Sequence, residues 1–398
     1  MRLSQSSIVN SSMSHSPKRI LIVAGEASAD RYGARLVKRL QSLHGPGNLE
    51  FYGTGGDEMR MAGVQLFCHV RELAHIGVRE ALSSLRIYYK TYRRLTQESA
   101  QRPPVLAILL DFPDFNLRLA KKMKRLGIRV IYYISPQVWA WRSGRVRTIR
   151  EYVDRMLVIL PFEEGFYRER GVEVEFVGHP LLEDFNPDHN REFFLNGLNF
   201  DPSRRTIAIL AGSRRKEIDY ILPVFLNAGR HLLREIPAQF VISAAPTVEL
   251  DHIRSVVHSV FQGEGDERYL RVSSRDSRDI LANSDFAFVK SGTSSLEAAL
   301  IGVPFLIGYK ISPLSWVIGS ILIRSSMKGL VNLIAQEEIV PELFQGEADP
   351  RRMARLAMKY LEDPEKNAAM RSKLARIREE LGVRRASETV AAAVSRYL

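Results

Sequence analysis

Short runs of β-branched and apolar residues, each closing on small or polar residues, recur through this 398-residue chain and alternate with stretches of helical period. They fall at Arg19–Ala24, Val105–Leu110, Arg129–Ile134, Arg155–Leu160, Val174–Val177, Thr206–Leu210, Gln239–Ser243, Tyr269–Val272, Asp285–Val289 and Pro304–Gly308. Runs that stay apolar, rather than alternating with polar residues, describe strands covered on both faces, and the helices between them supply the cover. Asn116–Leu126 shows such a helix: Leu117, Ala120, Met123 and Leu126 share one face, while Arg118, Lys121, Lys122 and Lys124 take the other. This alternation predicts a parallel, doubly wound α/β architecture. So many strands crowd one sheet, which predicts two.

The rhythm breaks over Glu183–Arg205, where Pro187, Pro202 and several Asn and Asp interrupt it before a fresh strand begins. The expected organisation is a serine-rich, disordered leader at 1–18, a Rossmann-like domain at 19–185 and a second at 200–365. A helical tail at 366–398 is expected to pack back on the first domain. Two such domains facing each other leave a cleft at the carboxyl ends of their strands, where open parallel sheets bind ligands.

Charge and cysteine usage narrow the function. Fifty-seven Lys and Arg against 45 Asp and Glu leave +12, which favours anionic company: phosphorylated substrates, nucleic acid or an acidic membrane surface. With Cys68 as its one cysteine, the chain builds no disulfide framework and no cysteine metal site, which fits a reducing cytoplasm. No apolar run reaches the roughly 18 residues of a membrane-crossing helix. Pro313–Arg324, with Trp316, suits an interfacial placement; a buried helix is the competing reading.

The chemistry-bearing residues gather where strands end. The first strand runs into Gly25, Glu26, Ala27, Ser28, Ala29 and Asp30, a small-residue turn opening a helix, with Ser28 or Asp30 as its cap. Gly53-Thr54-Gly55-Gly56 reads as a second such turn. Asp111 closes an apolar strand, the position from which a carboxylate enters the cleft and can take a proton from a sugar hydroxyl; Asp114 caps or turns. Trp139, Trp141 and Arg142 lie in a stretch, Arg118–Arg155, with 11 basic residues against 2 acidic. Such a stretch suits nucleic acid, sugar stacking or a solvated helix. In the second half, Gly212-Ser213-Arg214 and Ser291-Gly292-Thr293-Ser294-Ser295 are two phosphate-type turns, and Glu297 lies one turn into the helix, within reach of a ribose diol. His179 ends a strand as a hinge or catalytic candidate. Neither a metal-ligand spacing nor a G-x-S-x-G elbow occurs, so no metal, cofactor or serine nucleophile is expected.

GEASAD, GTGG, LDFPDFN, YYISPQVWAWR, LPFE, FVGHPL, LAGSRRKEI, SGTSSLEAAL and VNLIAQEEIVPELFQ follow one another over residues 19–380. In that order they resemble the bacterial lipid-A-disaccharide synthase family. The resemblance implies a GT-B fold, two Rossmann-like domains facing a cleft, and inverting transfer. It also implies joining UDP-2,3-diacylglucosamine to 2,3-diacylglucosamine 1-phosphate, β(1→6), with release of UDP. By position, Asp111 matches the family's candidate base and Glu26 a second cleft carboxylate. Ser213, Arg214 and Ser291–Ser295 match diphosphate contacts, Glu297 a ribose contact, and Asn332 and Gln345 further donor positions. A peripheral enzyme on the cytoplasmic face of the inner membrane, possible as a homodimer and without a nucleic-acid partner, is the implied setting. Ala29 and Val331 depart from the family's glycine and proline; Ala29 fits poorly if its turn needs a positive φ. A UDP-N-acetylglucosamine 2-epimerase is the alternative reading, and a nucleic-acid-binding protein a distant one.

Overall fold

Parallel strands cannot be joined by tight turns, so each must be followed by a crossover, and the structure obeys this throughout. A computed structural model describes residues 16–74, 81–139, 144–183, 185–261, 265–311, 329–382 and 385–398. The leader through residue 15, Trp141, Arg142 and Pro313–Arg324 lie outside the described residues. The first sheet comprises β1 (Lys18–Ala24), β2 (Leu49–Gly55), β3 (Val64–His69), β4 (Leu106–Leu110), β5 (Arg129–Tyr133), β6 (Arg155–Val158) and β7 (Val174–Phe176). Its order is β3-β2-β1-β4-β5-β6-β7, parallel throughout.

The second sheet holds β8 (Arg205–Leu210), β9 (Ala238–Ser243), β10 (Leu270–Ser273), β11 (Phe286–Lys290), β12 (Phe305–Tyr309) and β13 (Glu342–Phe344). Its order, β10-β9-β8-β11-β12-β13, is again parallel. The expected strands are present. The chain adds β2, β3 and β13, and the GTGG reading is corrected: Gly53, Thr54 and Gly55 belong to β2, and only Gly56 turns.

Successive residues of β1 go to opposite faces. Ile20, Ile22 and Ala24 meet Leu36, Val37 and Leu40 of the helix Ala27–His44. Leu21 and Val23 meet Leu119 and Met123 of the helix Pro113–Arg125. Both faces are buried, which is why the run carries no polar alternation. The second sheet repeats this, with Ile207 and Ile209 in one core and Ala208 and Leu210 in the other.

The tail divides. Gly382, with φ +74, ends the helix Pro364–Leu381, whose Met370, Leu374 and Ile377 pack on the second lobe. The helix Ala386–Ser395 then packs Val390, Ala391 and Val394 on the first lobe, with Arg39 2.6 Å from Glu388 and His44 2.9 Å from Ser395. The tail thus reaches the first lobe through its last helix, after a preceding helix packed on the second. No helix among the described residues is long and apolar enough to cross a membrane.

Asp30 fixes the turn after β2. At 6% exposure, its carboxylate accepts from the backbone N–H groups of Gly56 (2.6 Å), Met59 (3.0 Å) and Glu58 (3.2 Å). It therefore caps the neighbouring helix Asp57–Met61 rather than its own. Asp30→Ala strands these donors and is expected to cost about 2–4 kcal/mol, measured by urea unfolding; a loss below about 0.5 kcal/mol would mean water replaces the carboxylate.

Candidate active site

In each sheet the strand order reverses at one point, between β1 and β4 and between β8 and β11. There the following helices leave to opposite faces and open a crevice beyond the strand ends. Glu26 and Asp111 follow β1 and β4; Arg214 and Ser291 follow β8 and β11. The two crevices meet: Arg214 Nη2 lies 3.7 Å from Glu26 Oε1 across the lobes.

Asp111 is held by its backbone. Its N–H donates to the Tyr133 carbonyl at 3.0 Å, while its own carbonyl accepts from Asn116 Nδ2 at 2.8 Å and from the Tyr132 hydroxyl. Asp111 and Phe112 both take left-handed backbone, φ +45 and +52. Non-glycine residues in that region store strain of order 1–3 kcal/mol each, kept where the surroundings over-determine the geometry. Here the Phe112 ring lies so close to Gly25 that a Cβ there would approach it to 2.2 Å, so only glycine fits. Burial first, and the Glu26 carboxylate second, push Asp111 up to about 7. A carboxylate tuned so near neutrality suits general-base work.

On the second lobe the turn Ser291–Thr293 opens the helix Thr293–Ile301. Ser291 and Ser294 are half-buried and Thr293 is exposed. Ser295 is buried and donates to the Gly292 carbonyl at 2.7 Å, so its hydroxyl is spent inside the turn. Glu297 accepts from Ser277 Oγ at 3.1 Å, and burial raises its pKa. Ser213 N–H donates to Glu217 at 3.1 Å, and Glu217 in turn lies 3.0 Å from Lys290 Nζ. Glu217 and Lys290 were not expected from the sequence; the lysine immediately before the Ser291 turn was the available signal. Among the described residues no cluster of three His, Cys, Asp or Glu is placed to hold a metal.

The lipid-A-disaccharide synthetase family model matches residues 20–395. The chain belongs to that family. The synthase of Geobacter metallireducens is 42% identical over 384 residues, covering 96% of this chain and 97% of that one. The Syntrophus aciditrophicus synthase is 42% identical over 375 residues, 94% and 96% of the two chains. Among solved structures, UDP-GlcNAc 2-epimerase from Neisseria meningitidis bound to UDP-GlcNAc superposes with a TM-score of 0.65 at 12% identity, covering 95% of this chain and 100% of that one. The calicheamicin glycosyltransferase CalG4 superposes with a TM-score of 0.59 at 14% identity, covering 96% and 98%. These likenesses establish the GT-B fold, and the family makes the chain a glycosyltransferase of lipid A synthesis.

Other family-motif residues have structural work. Asn332, 1% exposed, spends its amide on Ile339 N–H (2.8 Å), Val340 N–H (3.0 Å), the Val340 carbonyl (2.8 Å) and Glu342 (2.7 Å). Gln345 accepts from Ile311 N–H at 2.9 Å and donates to its carbonyl at 3.1 Å. In this arrangement the polar atoms of both residues hold the backbone beside β13. His179 accepts from Leu181 N–H at 3.1 Å and burial lowers it to about 4, leaving a neutral cap. Trp139 donates to buried Glu163 at 3.0 Å and packs edge-on against Phe162, which commits its indole N–H within the first lobe. Ala29 is helical, without positive φ, and Asp114 pairs with Arg145.

Asp111's environment makes a stability prediction. Folded Asp111 keeps its proton up to about pH 7, whereas an unfolded aspartate releases it near 4. Stability therefore falls as pH rises between those values, and ionised Asp111 destabilises the fold above them. Asparagine removes the charge and tolerates left-handed backbone. Asp111→Asn is expected to melt higher than the parent at pH 8, by roughly 2–4 °C per kcal/mol recovered, with the gap narrowing at pH 5. Equal melting temperatures at pH 8 would contradict a destabilised carboxylate.

Proposed function

We propose that the cleft joins UDP-2,3-diacylglucosamine to the 6-hydroxyl of 2,3-diacylglucosamine 1-phosphate by direct, inverting transfer. The observation that carries this reading is the meeting of Glu26 and Asp111 from one lobe with Arg214 from the other. Asp111 takes the acceptor's hydroxyl proton as its oxygen attacks the anomeric carbon. The bond from that carbon to the diphosphate breaks, and its electron pair leaves on UDP. Arg214 and the N–H groups at the Gly292 turn face the charge that develops there, and Glu297 takes the ribose hydroxyls.

The test is incubation of the purified protein with both acylated sugars. UDP release should require the acceptor and match the disaccharide formed. Release of a 2-epimer without acceptor would favour the epimerase reading, which shares this fold. Asp111→Asn should keep UDP affinity and lose roughly 10²–10⁴-fold in turnover. Because the base must be ionised, kcat/KM should rise as pH passes upward through about 7. Near-normal turnover of the variant removes Asp111 from the role.

The acylated substrates place the enzyme at the inner membrane's cytoplasmic surface, bound from the side. The net charge of +12 favours an anionic leaflet, and Trp316 and Ile318 fall in the apolar stretch suited to its interface. A variant carrying both Trp316→Glu and Ile318→Glu should lose flotation with vesicles of mixed neutral and anionic phospholipid. Undiminished flotation takes this stretch out of the membrane contact.

A further inference from the structure

One ion pair stands between the two glycine turns of the second lobe. Lys290 is the last residue of β11, and its Nζ lies 3.8 Å from where a Cβ on Gly292 would be. Glu217, in the first turn of the helix Arg215–Glu235, has Oε2 only 2.4 Å from the Cβ position of Gly212, whose φ of +113 already requires glycine. The ammonium and carboxylate meet at 3.0 Å, so the pair bridges the ends of β8 and β11 at the point where the strand order reverses. Arg214 Nη1 approaches the same carboxylate oxygen at 3.7 Å. The Lys290 and Glu217 side chains are 19% and 15% exposed, against 70% for Arg214. Tyr309, at the end of β12, covers the ammonium, with its ring centroid 5.5 Å away.

We propose that Lys290 is a second donor-binding cation, which touches the diphosphate of the nucleotide sugar beside Arg214 and stabilises the charge that UDP gains on leaving. The proposal rests on the transfer reading above. An ammonium carries three N–H donors, and Glu217 takes one at hydrogen-bond distance. Its partial burial strengthens its field at the turn relative to an exposed guanidinium. Lys290, Arg214 and Glu217 together carry one net positive charge; without Lys290 the sum is zero, and only the exposed Arg214 guanidinium offsets Glu217. Lys290 exchanges no proton in the reaction: the proton goes to Asp111 and the electron pair to the phosphate oxygen. Glu217 is a positioning residue, pinned by Ser213 N–H and holding the ammonium between the turns.

A simpler role, in which Lys290 only neutralises Glu217, makes a different prediction for the double variant. UDP binding by calorimetry and turnover with both sugars separate the two. Lys290→Met should weaken UDP roughly tenfold or more and lower kcat by about 10²-fold. Lys290→Arg should recover part of both. If the methionine variant fails to fold, Lys290→Gln, which keeps a hydrogen bond to Glu217 without charge, should show the same loss. Combining Lys290→Met with Glu217→Gln should leave UDP binding weak, because the diphosphate contact is still missing. Restoration of parental affinity in the double variant, or unchanged UDP affinity and turnover in Lys290→Met, overturns the proposal and leaves the transfer reading standing. Failure of the parent protein to bind UDP overturns both.

Discussion

Parallel pairing is the constraint from which the site follows. Each connection must return across a face of its sheet, so all strands of a sheet finish at one edge, and the crossovers bury both faces. Where the winding changes direction, beside β1 and β4 and beside β8 and β11, helices diverge and the edge is left open. Glu26, Asp111, Arg214 and Lys290 all lie at or within four residues of those four strand ends. The gathering of these side chains is thus a consequence of sheet topology repeated twice, with one opening turned toward the other.

Charge is divided between the lobes in a way that suits the proposed transfer. The first lobe brings two carboxylates to its opening, and Glu26 helps burial raise Asp111. The second lobe brings cations to its own. Had Arg214 been paired closely with Asp111, its charge would have lowered the carboxylate's pKa and weakened it as a base. Arg214 meets Glu26 instead, at 3.7 Å between two largely exposed side chains. An exposed pair of that kind contributes little, and a diphosphate can displace it at small cost.

How much of this was legible depended on whether a residue's role was local. Strands such as Ile20–Ala24 and Ile207–Leu210 were readable because burial on both faces leaves an unbroken apolar run. β2 was not, because Glu50 and two glycines break the run, and β13 is only three residues long. Asp111 and Ser291 were readable as polar residues just after such runs, and Arg214 from the glycine turn that follows one. The Lys290–Glu217 pair joins residues 73 apart in sequence, a partnership that exists only after β8 and β11 align. The hydrogen bonds that Asn332 and Gln345 make to backbone beside β13 were equally hidden, because their partners come together only in the fold. Asp30 was recognised as a cap, but the helix it caps is 26 residues away in sequence and adjacent only in the fold.

The two halves of the site differ in how firmly they are set. Asp111 is fixed within the first lobe, by the Tyr133 carbonyl, Asn116 and the Tyr132 hydroxyl, and Phe112 is locked over Gly25 and against Phe115 and Tyr88 at 5.5 and 5.3 Å. None of these contacts involves the second lobe, so the Asp111 backbone is set within its own lobe, and the strain at Asp111 and Phe112 is sustained by first-lobe packing. Arg214 has no comparable support: it is largely exposed, and its near neighbours are two carboxylates at 3.7 Å. A guanidinium so placed changes partners readily, whereas Lys290 is held by Glu217 and covered by Tyr309. Rigidity therefore lies with Asp111 and the half-buried ammonium, and adjustment with the exposed guanidinium of Arg214 that spans the lobes.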